Sequence, residues 1–197
     1  MARGRPREFD RDEALHRALD VFWQRGYQGT SISTLTDAMG IGSPSLYAAF
    51  GSKSDLFREA TELYLSEDGA EPVRLLEAGE TARSSVEAFL RANADLFTRE
   101  GEPNGCMLTR AVSTCTEDDE DVRACLAESV TQRRGEIAAR LERGRAEGEA
   151  LPCTEVEALA EYVDTIVQGM AVRAMEGAAR ASLHRTVDLA MLTWDSA

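Results

Sequence analysis

The chain has 197 residues, 43% hydrophobic and 29% charged, which reads as a globular protein able to bury a real core. No stretch approaches the roughly 20 apolar residues of a membrane helix, and the basic start has no apolar segment behind it, so neither a membrane nor a secreted protein is expected and the cytoplasm is the expected location. The net charge of -13 argues against a polyanionic partner until its distribution is seen: residues 1–60 hold eight basic and eight acidic side chains, and the remainder carries the whole excess.

In chain order, almost everything reads as helix. Arg3, Arg5 and Arg7 form a basic arm before any regular structure. A first helix is expected over 10–26, opened by Asp10 and Glu13 in capping-box spacing, with Leu15, Leu19 and Phe22 on its apolar face. A short helix over about 31–39 has Ser31 as cap. Gly40-Ile41-Gly42 makes a tight turn, and Ser43 and Pro44 then open a third helix as its cap and first residue, with Leu46 and Phe50 inward. After Gly51, Ser52 and Asp55 open a fourth helix that runs to about residue 67. Gly69, Pro72 and Gly79 mark a joint with a frayed helix end. Longer helices follow at about 81–100, 105–115, 119–148, 154–177 and 182–195. The expected fold class is all-α: a three-helix unit over 1–53, then a larger helical unit over 54–197.

Lys53 is the oddity of this stretch. It occupies the first turn of the fourth helix, where the helix dipole disfavours a cation by a few tenths of a kcal/mol. A phosphate docked on the free N–H groups of that turn reverses the sign. Two short helices joined by a glycine turn behind a supporting helix match a helix-turn-helix, whose second helix enters the major groove. Here that helix presents Ser43, Pro44, Ser45, Tyr47, Ala48 and Ala49: small or hydroxylated side chains that permit close approach, plus methyls suited to thymine. Thr30 and Ser31 could serve a second phosphate.

At these residues the segment "GYQGTSISTLTDAMGIGSPSLYAAFGSKSDLF" resembles the N-terminal domain of the tetracycline-repressor (TetR) family of bacterial transcriptional regulators. The resemblance rests on Gly26-Tyr27, Thr30-Ser31, Leu35, Gly40, Leu46-Tyr47, Phe50, Lys53 and Leu56-Phe57 and covers about the first 60 residues. It implies a homodimer on a palindromic operator, with Tyr47 and Lys53 on the DNA backbone, the third helix in the groove, and Arg3, Arg5 and Arg7 as a minor-groove arm. It also implies a regulatory domain, and "NGCMLTRA" is similar to one subgroup whose members have varied inducers. Some relatives respond to electrophiles or metals.

A sensor needs a cavity. The helix at 81–100 carries Asn93 as a polar exception on a stripe with Phe89 and Phe97. Met107, Leu108, Tyr162, Ile166 and Met170 could line the same space, or be ordinary core. The ligand expected there is an apolar or mixed small molecule, because no nucleotide-binding loop, metal cluster or cofactor motif is present. Among Cys106, Cys115, Cys125 and Cys153, Cys106 is the best thiol-sensor candidate, at a helix start. Cys115 lies nine residues on, about 900° around one helix and so on the opposite face, which disfavours a disulfide between them. The last two helices, about 154–195, resemble the family's dimerising pair; Leu183, Val187, Met191 and Trp194 recur along the final one. A thiol- or metal-responsive regulator using Cys106, and an architectural DNA binder without a sensor, are the alternatives. An enzyme is not expected: only two histidines exist, and no G-x-S-x-G or H-E-x-x-H motif occurs.

Overall fold

The computed structural model describes residues 9–195, which form ten α-helices and no strand. The first four are α1 (Arg11–Arg25), α2 (Ile32–Met39), α3 (Ser43–Phe50) and α4 (Lys53–Ser66). Asp10 caps α1 by accepting from the N–H groups of Asp12 and Glu13, and Ser31 caps α2 through Thr34. Gly26 and Gly40 end these helices with φ of 69° and 68°. At α3 the cap moves back one residue: Gly42 takes the extended cap position, and Ser43 is already helical. Ser52 and Asp55 form the reciprocal capping box of α4.

The segment read as a joint is instead a helix, α5 (Ala70–Ala78). Pro72 lies in its first turn, where no intrahelical N–H is required, and its ring is buried. Then come α6 (Ala82–Leu96), α7 (Met107–Thr114), α8 (Glu120–Ala146), α9 (Val156–Met175) and α10 (Arg180–Met191). The final helix stops before Trp194, four residues short of the expected end.

One apolar core runs from Ala14 to Trp194 through every helix. In its N-terminal part α1 packs on α2 and α4, with Phe22, Phe57 and Tyr27 in mutual aromatic contact. Residue 53 opens α4, yet Leu56, Phe57 and Ala60 of that helix sit fully buried in a core shared with α1. The far end of α4 joins α7 and α8. Three further close approaches join α1 and the turn after it to α7 and the segments flanking it. Trp23 Nε1 donates to the Gly105 carbonyl at 2.9 Å, and Gln28 Nε2 donates to the Asp119 carboxylate. Gly26 lies so close to Thr114 that a Cβ would meet its Oγ1 at 2.5 Å. Leu183, Val187, Met191 and Trp194 of the C-terminal segment are buried within the chain, so their recurrence serves the protomer's own core.

Candidate nucleic-acid interface and sensor cavity

The α2–turn–α3 unit is built from local signals. Leu35 and Met39 hold α2 to the core, and Leu46 and Phe50 hold α3. With these two anchors four residues apart, α3 presents Ser43, Pro44, Ser45, Tyr47 and Ala48 to solvent, Tyr47 with half its surface exposed, while Ala49 is half-buried. Arg11 locks this face from behind. Its guanidinium donates to Glu59 at 2.6 Å and to the Ala49 carbonyl at 3.3 Å, and lies 4.4 Å from the centre of the Phe50 ring. Arg11 thus ties α1, α3 and α4 together. Sequence reasoning missed it, because an arginine in a first turn carries no signal of a partner 48 residues away.

Lys53 begins α4 next to this face. Its ammonium is not in open solvent: Nζ stands 4.0 Å from the centre of the Tyr27 ring. Burial lowers its pKa from the ordinary lysine value, and the nearby Asp119 charge works in the opposite direction. No carboxylate pairs with it among the described residues. Asp55, in the same turn, is held below the usual carboxylate range by its bonds from the Ser52 hydroxyl and N–H. Ser31 stays exposed at the start of α2. Thr30 does not: it is 1% exposed, and its hydroxyl donates to the Gly26 carbonyl at 2.7 Å, so it closes the α1–α2 turn and is withdrawn from any phosphate. Arg3, Arg5 and Arg7 lie outside the described residues.

About 17 Å along α4 from Lys53, by its 1.5 Å rise per residue, Tyr64 and Leu65 enter the wall of a cavity of about 360 Å³. Phe89 and Asn93 of α6, its C-cap Phe97 and Leu108 of α7, all named from the sequence, line it, joined by Leu96, Cys106 and residues of α5 and α8. Asn93, 6% exposed, donates from Nδ2 to the Phe89 carbonyl at 2.9 Å, which fixes the amide on the cavity wall. The other four expected residues are elsewhere. Met107 and Met170 are buried in the core away from this cavity. Ile166 is half-buried on α9, and Tyr162 borders a separate surface groove with Cys153, Leu159 and Leu192. A single helix register cannot tell which face of α9 meets α6, and that choice removes them. Tyr64 and Arg133 were missed for the same reason.

Cys106 occupies the N-cap position of α7 and lines the cavity, buried against Tyr64. The Tyr64 hydroxyl is fully enclosed, and burial first, then the Cys106 neighbour, pushes its pKa well above the ordinary tyrosine value. Cys115 is the C-cap of the same helix, so the two thiols stand at opposite ends, and all four cysteines are free. Burial raises the Cys115 and Cys125 pKa values. Among the described residues no cluster of His, Cys, Asp or Glu could hold a metal ion, and no helix is long and apolar enough to cross a membrane.

The comparisons agree with this geometry. Residues 14–60 match the family model "Bacterial regulatory proteins, tetR family", and residues 82–189 match "Tetracyclin repressor-like, C-terminal domain". The chain is 33% identical to the HTH-type transcriptional repressor ComR of Escherichia coli K12, over 98% of its own length and 92% of that protein's. It is 26% identical to the repressor BdcR of the same organism, over 95% and 90%. Among solved structures, a cysteine mutant of the TetR family regulator CifR complexed with 26-bp operator DNA superposes with a TM-score of 0.91 at 42% identity, over 96% of this chain and 100% of that one. The chain therefore belongs to the TetR family of bacterial regulatory proteins, DNA-binding transcriptional regulators rather than enzymes.

Proposed function

We propose that the protein is a cytoplasmic, ligand-responsive repressor that binds a palindromic operator as a homodimer and is released by a small molecule. The observation that carries this reading is α4 itself. One rigid helix holds Lys53 beside the exposed face of α3 at one end and Tyr64 and Leu65 in the cavity wall at the other. A molecule that fills the cavity displaces Tyr64, and α4 passes the movement to Lys53 and α3. Contacts to DNA are assigned to Ser31, Ser43, Pro44, Ser45, Tyr47, Ala48, Ala49 and Lys53, with Thr30 now excluded. The relatives' names support repression: ComR and BdcR are both called repressors, and CifR binds operator DNA.

For the homodimer, α9 offers an uncovered stripe of Tyr162, half-buried Ile166, Gly169 and Val172, and α10 leaves Leu189 exposed. An added Cβ at Gly169 would meet nothing within 4 Å, which leaves room for a helix to approach closely. The test is a titration of a fragment upstream of the protein's own gene, with and without compounds that raise its Tm. A palindromic footprint that disappears with such a compound is the expected result. Binding that no stabilising compound alters supports the architectural alternative.

A second reading has its own observation. Cys106 lines the cavity beside the buried Tyr64 hydroxyl, so an electrophile entering the cavity would reach a thiol. If Cys106→Ser abolishes the response while ligand-free operator binding persists, the signal is covalent; if the response survives, it is not.

A further inference from the structure

The cavity has a polar end that nothing above explains. Asp164 of α9 is completely buried and accepts three bonds, from Arg133 Nε at 2.6 Å, Arg134 Nε at 3.1 Å and Gln168 Nε2 at 2.7 Å. Its acceptor capacity is largely used. Arg133 spends only Nε on it, and its side chain keeps 16% of its surface. Arg133 lines the cavity from α8, and its two terminal nitrogens have no protein partner among the described residues.

The other charged groups on the wall are differently placed. Arg74 is tied through two nitrogens to Glu71, Glu136 accepts from Gln132, and Glu77 is exposed at the mouth. Two basic and two acidic side chains line the cavity, so net charge does not set a preference. The preference comes from which group lacks a partner. A planar cation anchored at one nitrogen presents a two-pronged donor fork, which matches a carboxylate. Tyr64, Phe89, Leu96 and Phe97 give the cavity an apolar stretch of wall, interrupted by the Asn93 amide.

We infer that the cavity takes an organic acid, its carboxylate held by the terminal nitrogens of Arg133 and its apolar body packed among Tyr64, Phe89 and Phe97. Asp164 positions Arg133 for this. The inference rests on the reading of the cavity as the inducer site, and adds the chemical class of the occupant.

The experiment compares octanoate, 1-octanol and octylamine, which share one tail and differ in head group. Each displaces anilinonaphthalene sulfonate from the full-length protein without DNA at neutral pH. Octanoate is expected to bind at least tenfold more tightly than 1-octanol, about 1.4 kcal/mol, and octylamine more weakly than either. Arg133→Met should bring the octanoate-to-octanol ratio near one. Arg133→Lys, which keeps a cation opposite Asp164, should retain the preference at reduced affinity. Equal binding of octanoate and octanol to the unmodified protein overturns the inference without need of a variant. So does a preference that survives Arg133→Met, or tighter binding of octylamine. Operator release is measured separately. Octanoate that binds with the expected preference but leaves the operator bound refutes the regulatory reading and leaves the acid site standing. Release by 1-octanol as readily as by octanoate does the reverse.

Discussion

Lys53→Met tests the phosphate role at the start of α4. Methionine is chosen over alanine because the lysine side chain lies against the Tyr27 ring, and an apolar chain of similar length preserves that packing. On a palindromic operator each protomer supplies one Lys53, so the variant loses two phosphate contacts per dimer. Counterion release then predicts a salt slope shallower by about 1.8. Between 50 and 200 mM salt the unmodified protein should lose roughly 12-fold more affinity than the variant does. Leaving the Tyr27 ring costs the lysine about 0.5–1 kcal/mol, which lowers the gain in affinity but not the number of ions released. The assay is fluorescence anisotropy of a labelled operator over a salt series. Parallel slopes for the two proteins would mean that Lys53 stays on Tyr27 in the complex, and the phosphate assignment is then wrong.

Trp23→Phe removes the indole N–H and leaves the Gly105 carbonyl without its buried donor; a loss of about 2 kcal/mol, or roughly 4–8 °C in Tm, is expected by differential scanning fluorimetry. Asn93→Leu should abolish the response to an inducer that changes operator affinity about 5- to 150-fold, while ligand-free operator affinity stays within a few-fold; a full response would make Asn93 structural only. His16 bonds to the Asp12 carbonyl at 2.8 Å, then to Glu67, and both favour the imidazolium over the opposing effect of burial, so its pKa is raised above the ordinary 6.5. Its stabilisation is complete below that value and lost as pH rises through the raised pKa, so the Tm difference between the unmodified protein and His16→Gln should be greatest below the ordinary 6.5 and shrink to nothing as pH rises through the raised pKa.

The features legible in the chain alone are those that depend on near neighbours. Asp10, Ser31 and Ser52 reach N–H groups two or three residues on, Gly26 and Gly40 supply the positive φ that ends a helix, and Leu46 and Phe50 share a face at fixed spacing. These interactions exist wherever the segment is placed, so the helix-turn-helix and its exposed residues could be read from composition and spacing. Where the local signals were balanced, the reading shifted: Gly69 and Pro72 outweighed the apolar residues of α5, and packing of Leu76 into the core decided for helix. Long-range packing fixed which helix faces meet. It put Tyr64 and Arg133 on the cavity with Asn93, turned Tyr162 outward, buried the Thr30 hydroxyl under Gly26, and laid Lys53 on Tyr27. The physical reason is range. A cap or a turn is a contact between near neighbours. A cavity is the space left where α4, α5, α6, α7 and α8 fail to fill one another, and no window of sequence contains all five.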